Sequence, residues 1–217
     1  MDPANYDLHI HSDYSDGLAS VRDIAKRANS EGLNTIAICD HFWPCLGSRK
    51  AGGKWIEERR DKIWNLRTVF NPLRILDGAE VDISSDGSHA EIAAPLDSFD
   101  IVIGSIHFSA SSTQWRSTIQ KALNKWHFDI LAHWDGYLTS FREEDGLAVA
   151  RALADNGVAV ELSAHYVSQY TEFFEMARDA GCEFTLGSDS HRLEYIGKLD
   201  DQIQQVRSLN LPLKKID

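Results

Sequence analysis

Cysteine is scarce in this chain. Three occur among 217 residues, Cys39, Cys45 and Cys182, and no two form a C-x-x-C pair. An odd, scattered set argues against a disulfide framework and reads as reduced thiols in a cytoplasmic protein. Positive charge is also in short supply. Lys and Arg number 22 against 33 Asp and Glu, a formal net charge of -11. That balance argues against a partner such as a nucleic-acid polymer, which needs a clustered positive surface. A small anionic substrate stays compatible with it, because bound metal cations reverse the field locally. No apolar run approaches the about 20 residues of a membrane span. The opening stretch MDPANYDLHIHS has neither the basic n-region nor the apolar h-region of a secretion signal. Low-complexity segments, long linkers, a Gly-rich dinucleotide fingerprint and a G-x-S-x-G elbow are all missing.

What is present is an ordinary globular composition, 43% hydrophobic and 25% charged. It is long enough for a core without staples and predicts a single domain over residues 1–217. Seven short aliphatic or β-branched runs stand out, at 6–11, 35–41, 73–83, 100–108, 129–135, 158–164 and 183–191. Each has strand length. Amphipathic stretches separate them, at 20–32, 54–70, 112–126, 142–157 and 168–181. Ser20 and Ser168 are placed as N-caps, and Gly32, Gly157 and Gly181 fall where helix ends need a positive φ. Strands alternating with helices predict βα units around a parallel sheet. Seven strands without a dinucleotide fingerprint favour a barrel over a doubly wound sheet. Residues 84–100 have little helical pattern, which predicts a short extra strand and an irregular barrel.

In a βα barrel the chemistry sits at the C-terminal ends of the strands. The first run ends with His9 and His11, the second with His41, and the third carries Glu80. The fourth ends at His107, the fifth at His133, and the seventh at Asp189 and His191. Six of the nine histidines thus fall at strand ends. Residues i and i+2 share a strand face, so His9/His11 and Asp189/His191 read as preformed ligand pairs. A histidine alone in a strand is usually a hydrogen-bonded structural residue, and Glu80 alone could be half of an ion pair. Six imidazoles and three acids at one rim are another matter. Unpaired, they would cost several kcal/mol, and metal coordination is the natural compensation. Imidazole with carboxylate suits zinc, manganese or iron without choosing among them.

The motifs DLHIHSDYSDG, AICDHF, DGAEVDI, IVIGSIH, LAHWD and GSDSH resemble, in order and one per strand, those of the polymerase and histidinol phosphatase (PHP) family. The resemblance runs from residue 6 to about residue 192. It implies a distorted (β/α)7 barrel and a site holding two or three divalent metal ions. Carried over position by position, it implies a first metal on His9, His11, Glu80 and Asp189. A second would share Glu80 and add His107 and His133. A third would take Asp16, His41 and His191, with Asp16 filling a place where histidine could also ligate. Glu80, His107 and Asp189 are then catalytic through the metals.

The activity this implies is metal-dependent hydrolysis of a small phosphomonoester or a short nucleotide phosphodiester, by attack of a metal-bridged hydroxide. The partner is a small phosphorylated substrate. Alternatives are a proofreading nuclease, a non-catalytic barrel subunit of a larger complex, and hydrolysis of a non-phosphate bond. Arg192 either binds a phosphate oxygen or pairs with Glu194, and His165, at the rim, could touch substrate. Asp13 is either solvated or a support for His11, while Asp40 faces the opposite side of its strand and reads as structural. His127 reads as a surface residue. Ser163 and Ala164, in ELSA, stand where histidinol phosphatases resemble E-x-N, so histidinol phosphate is not the expected substrate. Cys39 lacks a partner histidine in a recognisable triad order.

Overall fold

The computed structural model describes residues 5–43 and 48–216. Cys45 and the first four residues of the N-terminal stretch lie outside the described residues. Seven parallel strands form one sheet in chain order: β1 (Tyr6–Ile10), β2 (Thr35–Asp40), β3 (Arg74–Asp82), β4 (Ile101–Ser105), β5 (Ile130–Leu131), β6 (Ala159–Ser163) and β7 (Phe184–Gly187). The sheet curls until its edges meet. Ile10 bridges Ser190 in parallel, and the His11 N–H donates to the Ser190 carbonyl at 2.9 Å. The result is the distorted seven-stranded barrel that the alternating pattern predicts. The strands are buried on both faces, which is why they read as continuous apolar runs rather than alternating ones.

Helices α1 (Val21–Ser30), α2 (Gly53–Val69), α3 (Ser112–Leu123), α4 (Glu143–Asp155), α5 (Glu172–Ala180) and α6 (Asp200–Leu209) connect or follow the strands. Ser20 caps α1 by accepting from the Asp23 N–H. Gly32, Gly157 and Gly181 adopt positive φ as expected. Ser168 does not cap α5, which begins four residues later. The reason lies in Asp135, just beyond β5. Its carboxylate accepts from the Ser168 hydroxyl at 2.8 Å and the Gln169 N–H at 2.6 Å, so this stretch is tied to the barrel rim instead of starting a helix. Helix α6 buries no residue fully; its short stripe of Ile203, Val206 and Leu209 packs half-buried against the core, and it was not among the amphipathic stretches expected from the sequence.

Between β3 and β4 there is no α-helix. Ile83 and His89 form an isolated antiparallel bridge, and a short 3-10 turn follows at Leu96–Ser98. The irregularity expected from 84–100 is there, but the short extra strand is not, since a single bridge is all that pairs in this segment. Strand lengths are uneven, from nine residues in β3 to two in β5. Two packing systems hold the barrel. Near β2 and β3 the buried Arg59 guanidinium reaches the carboxylates of Asp40 and Asp77 and the Ile38 carbonyl. Around β5 the packing is aromatic, with Trp134 against Phe173 at 4.2 Å between ring centroids and Trp115 against both. Among the described residues no helix is long and apolar enough to cross a membrane.

Candidate metal centre

Glu80 sits near the C-terminal end of β3 with its side chain 1% exposed. Its two carboxylate oxygens meet five imidazoles. Oε2 lies 3.1 Å from His9 Nε2, 3.2 Å from His11 Nε2 and 3.4 Å from His41 Nε2. Oε1 lies 3.0 Å from His133 Nε2 and 3.5 Å from His107 Nε2. These rings arrive from the C-terminal ends of four different strands. Asp189 and His191 come from beyond β7, with Asp189 Oδ1 at 3.1 Å from His11 Nε2. Asp16, in the loop after β1, completes the outer edge at 3.1 Å from His191 Nε2 and 3.4 Å from His11 Nδ1. All nine expected ligand positions are thus brought together at one end of the barrel.

The local backbone is shaped to this purpose. His133 and Asp189 have φ of 26° and 50°, in the left-handed region that costs a non-glycine residue about 1–3 kcal/mol. Both strands have already ended at these positions. The Asp189/His191 pair therefore forms by a bend after Gly187 and not by strand alternation. His9 and His11, by contrast, leave β1 on one face as alternation predicts, and their Nε2 atoms stand 3.1 Å apart.

Among the described residues, four groups of donor atoms are compact enough to share an ion, each within 4.8 Å. They are His9/His11/Glu80, Glu80/His107/His133, His11/Asp16/His41 and His11/Asp189/His191. The first two fall within the inner sets expected from the sequence. At the outer edge His11 joins both groups, so Asp16, His41 and His191 are linked through it.

The electrostatics match a centre that seeks positive charge. Burial alone would strip protons from the imidazoles. At His11 the Asp189 and Glu80 carboxylates outweigh it and push the ring up to about 10. His9 is held well above the usual imidazole range against the same burial by Glu161, Asp189 and Glu80, and His133 rises through Glu80. At His41 burial prevails and lowers the ring to about 4. Glu80, though buried, is held well below the carboxylate range by the surrounding histidines. Nitrogen and oxygen donors converge here on points too close for their own mutual comfort, and a divalent cation satisfies such a set where protons otherwise must.

A second row of carboxylates backs the rings, as is usual behind metal-binding histidines. Glu161, in β6, accepts from His9 Nδ1 at 2.8 Å and from the His133 backbone N–H at 3.0 Å. Its oxygen occupies the space beside Gly187, where a Cβ would stand 2.1 Å from Glu161 Oε1, so only glycine fits there. Asp82 Oδ1 lies 3.1 Å from His107 Nδ1. Asp40 accepts from the Ser12 N–H, the Ser12 and Ser15 hydroxyls and Arg59, fixing the loop that carries Asp16. Asp40 is structural, as its strand parity predicts. Glu161 and Asp82 were not singled out from the sequence. A lone acid inside the apolar run VAVELSA was the available signal for Glu161.

Arg192 and His165 lie outside the lining of the cavity above the cluster. Arg192 is exposed and reaches Glu194 at 3.8 Å, while the His165 ring is 5.8 Å from that of His191. Asp13 is a surface residue paired with Lys50 at 3.3 Å. His127 is exposed beside Asp129. The Cys39 thiol is buried, which pushes its pKa up, and it donates to the Leu8 carbonyl, so it is no nucleophile.

The PHP domain family matches residues 7–165. The chain belongs to the PHP family. Its members are metal-dependent hydrolases of phosphoester bonds. The DNA polymerase/3'-5' exonuclease PolX of Bacillus subtilis is 29% identical over 208 residues, covering 93% of this chain but only 36% of that longer protein. The probable phosphatase YcdX of Shigella flexneri is 25% identical over 225 residues, covering 97% of this chain and 88% of that one. Among solved structures, a histidinol phosphate phosphatase from Lactococcus lactis, complexed with zinc, L-histidinol and phosphate, has a TM-score of 0.71 at 18% identity. It covers 95% of this chain and 92% of its own, a likeness of fold.

Proposed function

We propose that this PHP barrel hydrolyses small phosphoesters with two to three divalent ions, zinc, manganese or iron, held at the Glu80 cluster. The observation that carries the reading is the Glu80 carboxylate itself, buried and met by five imidazole nitrogens at 3.0–3.5 Å. His9, His11, Glu80 and Asp189 would hold one ion, Glu80 with His107 and His133 a second, and Asp16, His41 and His191 a third, with His11 close by. When bound, such ions polarise phosphoryl oxygens and make water acidic enough to attack near neutral pH. The chain's own part is to hold nine donors rigidly at one rim, to fix the His9 ring through Glu161 and the His107 ring through Asp82, and to leave a cavity of about 140 Å³ over the cluster.

A small substrate is favoured over a polymer because the net charge of -11 repels a long polyanion everywhere but at the cationic centre. PolX carries a nuclease name, and YcdX and the Lactococcus lactis protein carry phosphatase names. A panel of small phosphoesters that includes histidinol phosphate, assayed beside single-stranded DNA with added Mn or Zn, tests the reading. Turnover of one or more small esters is expected. DNA degradation with no turnover of any small ester would replace the reading with a nuclease.

A further inference from the structure

Ten residues line the cavity over the cluster. Eight of them are candidate ligands, and the other two are Tyr137 and Tyr166. Among the described residues that line this cavity, the pair is what a substrate meets besides the candidate ligands. The two rings come from neighbouring strand ends. Beyond β5, the Gly136 N–H closes a turn onto the His133 carbonyl at 2.8 Å and delivers Tyr137, whose ring lies 5.4 Å from that of His107. Beyond β6, the Ser163 hydroxyl accepts from the Tyr166 N–H at 3.2 Å and turns the chain back over the site. The Tyr166 ring then lies 4.7 Å from that of His133. Gly136 is needed for this approach, since a Cβ there would stand 2.8 Å from Tyr166 Cδ1. Ser163, the residue at which this chain departs from the histidinol phosphatase pattern, thus has a role of its own: it places Tyr166.

The two phenol oxygens are 3.2 Å apart. One O–H serves that contact, and the other proton is left free to donate. A wall with a free donor, facing a centre built for cations, suits an acceptor-only group. A phosphate monoester presents three non-bridging oxygens, enough to face both the ions and this wall. A diester presents two, and its second ester substituent must pass the tyrosine rings.

We infer that the Tyr137–Tyr166 pair recognises a terminal phosphate and makes the site selective for monoesters over diesters. The inference rests on the phosphoesterase reading above. It is tested on metal-loaded protein with p-nitrophenyl phosphate, bis(p-nitrophenyl) phosphate and inorganic phosphate, the last followed by calorimetry as well as inhibition. The wild type turns over the monoester with the higher kcat/KM. In the double variant Tyr137→Phe/Tyr166→Phe the preference for monoester falls about tenfold and inorganic phosphate binds about tenfold more weakly, the size of one hydrogen bond to a charged group. Each single Phe variant shows a smaller loss, because the remaining hydroxyl turns its proton to the phosphate. Tyr166→Ala raises diester turnover by opening the wall. Metal content and Tm stay at wild-type values in the Phe variants. An unchanged preference and unchanged phosphate binding in the double variant would overturn the inference, as would losses that track lost metal, which would make the tyrosines supports of the cluster. Better turnover of the diester by the wild type would overturn it and leave the phosphoesterase reading standing. A wild type that neither binds inorganic phosphate nor hydrolyses either ester would remove both.

Discussion

The centre has an inner half and an outer half, and they are built differently. The inner half surrounds Glu80 and is mostly buried, with the side chains of His9, Glu80 and His133 at most 1% exposed and that of His107 11% exposed. Its rings are held from behind by carboxylates, Glu161 for His9 and Asp82 for His107. The outer half is Asp16 and His191, whose side chains are 33% and 31% exposed, with the buried His41 beneath them. His191 is held by a backbone carbonyl, that of Asp189 at 3.0 Å. The contrast teaches which part of the centre is preorganised. Inner donors cannot relax without breaking buried hydrogen bonds, whereas outer donors can turn toward water. The inner half should keep its ions tightly, and the outer half should exchange them.

The largest effect is expected where the inner half has its hub. Glu80→Gln keeps the shape and removes the charge that five imidazoles share. Turnover of a small phosphoester should fall roughly 100-fold or more, with the melting curve showing a folded barrel. Near-normal kinetics would move Glu80 to a purely structural role and dissolve the comparison.

A smaller effect is expected one layer back. Glu161→Gln keeps the shape but takes away the charge behind His9 and one of the two acceptor oxygens that serve His9 Nδ1 and the His133 N–H. Metal affinity measured by chelator competition should drop by about 10–100-fold, the usual cost of losing a partner behind a ligand. Unchanged affinity would mean that the inner half owes nothing to its backing.

Much of this was legible in the sequence, for a physical reason. A barrel strand buried on both faces needs an unbroken apolar run, so seven runs announced seven strands, and a histidine or acid ending such a run announced the rim. What escaped was set by tertiary contacts. The runs at 129–135 and 183–191 overstate β5 and β7, because His133 and Asp189 leave the extended conformation to aim their side chains. The α5 start was misplaced because the Asp135 carboxylate captures the N–H groups that Ser168 would have begun to cap. Helix α6 has a stripe of only three apolar residues, Ile203, Val206 and Leu209, half-buried among polar neighbours, which is a weak signal along the chain. Glu161 and the tyrosine pair look ordinary along the chain and acquire their roles only where strand ends meet.

The smallest of the mutational effects should come from the outer half. Asp16→Asn should lose about one ion per chain on dialysis against a mild chelator that leaves the wild type loaded, and turnover should fall by less than about tenfold. A loss as large as that of Glu80→Gln would show that the two halves are equally committed to the chemistry.

The most direct test of the account is a metal count. Protein purified without chelator and analysed for elements should carry roughly two to three transition-metal ions per chain, as the shared nitrogen and oxygen ligands require. Less than about half an equivalent, even after adding Zn or Mn, would contradict the metal centre and the function built on it.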